Sequence, residues 1–548
     1  MAEPRRRPTS ERRPAATTDA GSVSGMSTPP APRRVAVAAP NESACAAAVR
    51  VATEGGNAVD AALAAMLVTT ASEPGLVSMA GAAYVTISPG DGSPPVTIDG
   101  GVEMPGRGLP PERFGHGLRA VNTAYAGGVT MTVGHGSVAT PGCLRALDLA
   151  SRTQGSIPWR EVVAPATEVA RNGFPHGQAS HTYLEFVHDD IFGWQPESHA
   201  ALHTADGRLI GRGESVLVPH LADSLELLAV QGADAFYTGE LAELVVTEVE
   251  RGGGILTAAD LAAYEAVVRP ALRTRLGDWQ LATNPAPAVG GVVLAAVLTL
   301  VGGRMTATAA EAGRQAWSAQ DLHRLVAVQH AVLRHRADVV DVAADRQVAA
   351  QAVMDTVHRD ELSLRRSPST VHVSVVGDDG SACAITVSAG YNSGVLVPGT
   401  GIWLNNCLGE EELTPRGAHG EPPGARLLSA MAPTVGRRDD GAVLAIGSPG
   451  SDRIPTSIAQ VLALHLEAGV PLEEAVRHPR VHVRLNSPVG DRADHEEDLT
   501  LPGGLELPTH AMPRHSMYFG GVAVAMSTPE RGLHAAGDPR RAGAVAVS

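Results

Sequence analysis

The stretch "SPSTVHVSVVGDDGSACAITVSAG" occupies residues 367–390 of a 548-residue chain. Its first run alternates with period two: Val371, Val373 and Val375 point one way and Thr370, His372 and Ser374 the other, as in a strand with one buried face. A second run follows, with Cys383, Ile385 and Val387 on one side and Ala384, Thr386 and Ser388 on the other. The two apolar faces meet only if the connection is a three-residue loop, Asp378-Asp379-Gly380, with Gly380 in the left-handed position of a bulge turn. That register pairs Val371 with Val387, His372 with Thr386 and Thr370 with Ser388. Thr is a common strand residue and Thr–Ser pairs across strands are ordinary, so the hairpin by itself reads as structural.

Working outward, helices precede and follow this strand-rich centre, which predicts layers of helix around stacked sheets. On the N-terminal side, "RRVAVAAP" reads as a strand and is followed by two helices parted by Gly55-Gly56, with Asn57 or Asp60 as cap of the second. Thr257 and Asp260 are spaced as a near capping box. "VVLAAVLTLV" (292–301) is the longest apolar run and is too short to span a bilayer. Before residue 35 the chain is rich in Pro, Arg, Ser and Thr. It has no apolar segment of the kind a secretory signal carries, and reads as a disordered tail over 1–34.

Composition narrows the function classes. The net charge of −15 argues against a nucleic acid or an anionic membrane as partner. Every basic residue is Arg and aromatics make up only 3%, so the core is built from small aliphatic side chains. The four cysteines, at 45, 143, 383 and 407, form neither CxxC nor a zinc spacing and read as small buried hydrophobes. His323 and His330 share a helical face without a third ligand near them, so no metal is expected. A soluble cytoplasmic protein without a cofactor is the expectation.

One further stretch has chemical content. In "LAIGSPGSDRIPTSIAQ" a strand runs into Gly447-Ser448-Pro449-Gly450-Ser451 and then a helix, an arrangement whose backbone amides can hold an oxyanion. Most such turns are structural.

Together with "EGGNAVDAALAAMLVTTASEP" (54–74), "GHGSVATPGCLRAL" (134–147), "NPAPAVGGVVL" (284–294), "LVPGTGIWLNNCL" (396–408), "LLSAMAPTV" (427–435) and "AAGDPRR" (535–541), in that order, these segments make the chain resemble the γ-glutamyltransferase family of N-terminal nucleophile hydrolases. The resemblance implies an α/β (α+β) four-layer αββα sandwich. It also implies a precursor that cuts itself before a Thr, giving a large subunit from 35–369 and a small one from 370–548. Ser369–Thr370 is then the cleavage site and Thr370 the nucleophile, its freed α-amino group serving as local base. Ser388 matches a Thr that holds this terminus, and Gly450 and Ser451 match the oxyanion hole. Glu410, Ser429, Asn406 and Cys407 fall at substrate-binding positions, for a small amino-acid-like substrate.

The departures are as informative. The family's second Thr is Val371, and the Arg that grips a glutamyl α-carboxylate is Val102 in "IDGGVEMP", with Arg107 nearby but out of register. An Asn of the family falls at Gly390 or in a deletion, a Gln at Cys407 and the second Ser of a pair at Ala430. These changes predict a retained nucleophile beside a remodelled pocket. The expected activity is an amidase or acyltransferase with altered substrate choice. Two alternatives are a C–C bond hydrolase of 4-alkyl-proline biosynthesis, as in an actinobacterial branch of the family, and an inactive homologue acting as a binding protein.

Overall fold

The computed structural model describes residues 31–123, 129–307, 316–357, 370–410, 412–487 and 489–548. Ser369, the residue expected to precede the cleaved bond, and most of the expected N-terminal tail lie outside them. Arg33 and Arg34, at the end of that tail, pair with Asp379 and Asp378 at 3.0 and 3.4 Å.

The quoted hairpin forms as the alternation requires. Val371–Gly377 and Ala382–Ser388 pair antiparallel, with Val371 opposite Val387 and His372 opposite Thr386. Gly380 has φ +76° and its N–H donates to Gly377 O, so the three-residue turn is the one the register demands. The hairpin is the centre of a seven-stranded antiparallel sheet. In spatial order the strands are Ala544–Val547, Val35–Ala39, Val371–Gly377, Ala382–Ser388, Ala82–Ser88, Val96–Gly100 and Val267–Pro270.

The expectation of a single buried face is corrected. Both faces of Val371–Gly377 are buried. Val371, Val373 and Val375 pack with Cys383, Ile385 and Val387 under the helix Ala58–Ser72, and Glu42–Thr53 lies beside that helix over Val35–Ala39 and Ala544–Val547. The opposite face lies on a second, six-stranded sheet: Gly532–Ala536, Ala523–Thr528, Val443–Gly447, Thr434–Arg437, Trp279–Thr283 and Leu272–Leu276. The hydroxyls and the imidazole that alternation assigned to solvent are instead satisfied between the sheets. His372 bonds Thr386 Oγ1 and Ser374 Oγ, each at 2.8 Å, and Ser374 donates to Ala523 O at 3.0 Å. Polar residues that pair with one another leave the same period-two pattern as a wet face.

The outer face of the second sheet is covered by Gly290–Val301, with Ala319–His335, Arg346–Val357 and Arg453–Leu462 packed around that helix. The order is helix, sheet, sheet, helix, the expected four-layer sandwich. The local signals placed the elements well. Asn57 and Asp60 form a reciprocal capping box on Ala58–Ser72, as do Thr257 and Asp260 on Ala258–Ala263. Among the described residues no helix is long and apolar enough to cross a membrane.

Candidate active site

Thr370 immediately precedes Val371–Gly377 and is 1% exposed. One residue beyond the last ladder pair, Val371 with Val387, it stands across from Ser388, and both line one pocket. The central position follows from the fold. Strands flank the hairpin on both sides, so the first residue of its first strand is held at the edge of the buried layer between the sheets, where a hydroxyl is shielded from bulk water.

The pocket has a volume of about 20 Å³. Its walls include Val102, Cys407, Leu413, Leu427, Leu428, Ala430 and Met431, with Ser429 and Glu410 as polar members besides Thr370 and Ser388. Among the described residues no cationic side chain lines it. Val102 stands at the wall, where the resemblance leads one to look for an Arg. Glu410 is 3% exposed and its Oε1 meets no hydrogen-bond partner. Burial, reinforced by the like charge of Glu412, holds the Glu410 carboxyl well above the usual carboxylate range. Glu412 is itself pushed up to about 7, first by burial and then by Asp452. Burial also raises the Cys407 thiol well above its ordinary value, which marks it as an inert wall group.

The absence of a side chain at Gly390 has a visible reason. With φ +65°, a Cβ there would lie 2.0 Å from Glu410 Oε1 and 2.2 Å from Asn406 Oδ1. The missing side chain makes room for the carboxyl. Ser388 Oγ accepts from Gly390 N at 3.2 Å, tying the residue across from Thr370 to the same turn.

Two substrate-binding expectations fall outside the lining. Arg107 donates to Asp260 Oδ1 at 3.3 Å and Glu103 Oε2 at 3.2 Å, and its backbone N–H also binds Asp260. It is therefore held by a helix-capping acid. Asn406 accepts from Tyr391 N at 2.7 Å and donates to Thr132 O at 3.1 Å, a scaffold role. Ser429 lines the pocket and accepts from Met431 N at 3.3 Å.

The Gly447–Ser451 turn approaches Thr370 from its other side. Pro449 and Thr370 line a second cavity together. Gly450 has φ +113° and Ser451, a non-glycine residue, φ +73°, an unusual conformation directly after Pro449; neither of the two lines either cavity at Thr370. The helix Arg453–Leu462 begins directly after it. Beneath, the His372 ring fills the space against Gly447, where a Cβ would come within 2.3 Å of it, and burial lowers its pKa to about 3.

Sequence reading missed Leu413, Leu427, Leu428 and Met431 as walls, because apolar side chains in a loop carry no site signal. It also missed a grouping of His188, Asp189 and His203 whose ligand atoms lie within 4.8 Å of one another. His203 reaches the adjacent pair His188 and Asp189 through the local turn between them, and its ring nitrogen lies 2.9 Å from that of His188.

Comparison with known proteins shows the family and the fold. The Gamma-glutamyltranspeptidase family profile matches residues 44–548. The chain is 30% identical to the glutathione hydrolase proenzyme of Pseudomonas aeruginosa over 486 residues, 82% of this chain and 83% of that one. It is 27% identical to the acylase ACY 1 proenzyme of a Pseudomonas species over 459 residues, 80% of each. The crystal structure of cephalosporin acylase from Bacillus halodurans superposes with TM-score 0.74, covering 97% of this chain and 99% of that one at 21% identity, which shows the shared fold. The chain belongs to the gamma-glutamyltranspeptidase family.

Proposed function

We propose that this protein is a self-processing N-terminal threonine hydrolase that cleaves amides whose acyl group carries no α-carboxylate. The lining of the Thr370 pocket carries the reading: a buried hydroxyl at a strand start, apolar walls, one uncompensated carboxyl and no cation among the described residues. In processing, Thr370 Oγ1 attacks the carbonyl carbon of Ser369. The peptide bond gives way to an ester, and water hydrolyses it to a Ser369 carboxylate and a free Thr370 α-amino group. That amine then takes the Oγ1 proton as Oγ1 attacks the substrate amide and passes it to the leaving nitrogen. The acyl-Thr370 ester is cleared by water or by an acceptor amine. The amides of Gly450 and Ser451 serve the oxyanion, and Ser388 orients the terminus.

Substrate choice follows from charge. A carboxylate beside Val102 finds no guanidinium, and beside Glu410 it meets a second acid. An unpaired buried charge costs several kcal/mol. An apolar acyl group suits the walls, and an amine-bearing one would pair with Glu410. The occurrence of both acylases and glutathione hydrolases among the relatives is consistent with a scaffold whose acyl pocket changes. The test is a panel of N-acyl anilides with apolar, amine-bearing and γ-glutamyl acyl groups, read by aniline release. The expected result is turnover of the first two classes by wild type and none by Thr370→Ala. Preference for the γ-glutamyl anilide, or full activity in Thr370→Ala, would refute the reading.

A further inference from the structure

We propose that the second cavity at Thr370 is an anion subsite for the carboxylate of the amino acid that leaves from, or accepts, the acyl group, with Arg541 as its anchor. This rests on Thr370 being the nucleophile. The cavity, about 30 Å³ where roughly 10–15 Å³ suffices for a water, is lined by Thr370, Val371, Pro449, Asp538, Arg541 and Gly543 among others. Arg541 is 6% exposed, and its Nε and Nη1 donors meet no acceptor. Its Nη2 makes one long bond, 3.4 Å, to Met517 O. A buried guanidinium with open donors is costly unless something completes it, and its planar fork matches a carboxylate.

The neighbouring acids do not complete it. Asp538 is committed to Arg480 at 2.6 Å, to Arg540 at 3.1 Å, and to the amides of Val522 and Arg540 at 2.9 and 3.0 Å. Glu73 is raised to about 7 by burial, with Arg541 pulling the other way. Its Oε1 accepts from Asn41 at 2.7 Å and its Oε2 meets no partner. Arg540, the adjacent residue, shows the contrast, since Glu496 and Asp538 satisfy it.

Thr370 therefore stands between an apolar pocket without a cation and a cavity that holds one. An amide has two sides, and the two cavities divide them: the acyl group beside Val102 and the amine component beside Arg541. On cleavage the amide nitrogen departs with the proton relayed from Oγ1, as a free amino acid whose carboxylate Arg541 holds. In transfer the same amino acid attacks the ester and the oxygen of Thr370 leaves, regaining its proton.

The test is calorimetric titration of purified processed protein with L-alanine and with L-alaninamide, in wild type, Arg541→Met and Arg541→Lys. The expected result is saturable binding of L-alanine at least about tenfold tighter than the amide in wild type, loss of that preference in Arg541→Met and partial retention in Arg541→Lys. Acetate should displace L-alanine from wild type and acetamide should not, a comparison that holds even if Arg541→Met does not fold. No binding of L-alanine, no preference over the amide, or displacement by acetamide equal to that by acetate would overturn the proposal. Binding is read without turnover. A carboxylate preference in a protein that cleaves no amide would thus refute the proposed activity and leave the subsite standing.

Discussion

Replacing Gly390 with Ala tests whether the pocket is built around the Glu410 carboxyl. The added Cβ would lie 2.0 Å from Glu410 Oε1 and 2.2 Å from Asn406 Oδ1, where ordinary contact begins at 3.4 Å. The two oxygens must therefore retreat by about 1.4 and 1.2 Å, the differences between these distances. Glu410 is enclosed, and Asn406 cannot move that far without losing the Tyr391 N–H it binds at 2.7 Å. Leaving that buried donor unpaired costs about 1–3 kcal/mol. Holding Ala at φ +65° costs about 1–2 kcal/mol more. The sum, about 2–5 kcal/mol, should appear as a lower urea midpoint with unchanged slope, together with loss of amide turnover. Adding Glu410→Ala to Gly390→Ala should recover part of the stability, because it removes one of the two collisions. A Gly390→Ala protein with wild-type urea midpoint and wild-type turnover would refute the reasoning.

Turnover of a γ-glutamyl anilide should fall several powers of ten below that of a good acyl substrate. Val102, Cys407 and Ala430 each forgo a contact of about 1–3 kcal/mol. Arg107→Ala should leave this unchanged, because Arg107 is held by Asp260 and Glu103, and a large drop would show that it reaches substrate. His372 gives a pH signature. Its folded pKa, about 3, lies below the ordinary 6.5, so the unfolded chain takes up the proton first as pH falls. The stability it contributes is fully present above 6.5 and drains away toward 3. Relative to His372→Gln, wild type should lose about 3 kcal/mol between pH 7 and pH 4 in urea titrations, and a flat difference would contradict the burial argument.

Much of this architecture is legible in the sequence because it rests on local rules. Thr257 with Asp260 announces a helix start, and the Val371–Val375 alternation with Gly380 announces a hairpin and its register. What alternation could not tell is where the second face goes. His372, Thr386 and Ser374 look like a solvated row, and only the second sheet shows them bonded to one another. The site divides in the same way. Thr370, Ser388 and the Gly450 turn are picked out as candidates through order and motif. Leu427, Leu428 and Leu413 become pocket walls only through long-range packing that carries no local mark, and Arg541, although it ends the "AAGDPRR" motif, is placed at a cavity only by the fold. Arg107 shows the converse: it sits close in sequence to Val102, but Asp260, more than a hundred residues on, decides where it points.

The central claim is that Thr370 becomes a chain terminus and acts as nucleophile. N-terminal sequencing of the purified protein, with intact mass of each fragment, tests it most directly. The account predicts two chains, the smaller reading Thr-Val-His-Val-Ser, and one uncut chain for Thr370→Ala. A fully active wild-type protein that persists as a single chain, or a fragment beginning at any other residue, would contradict it.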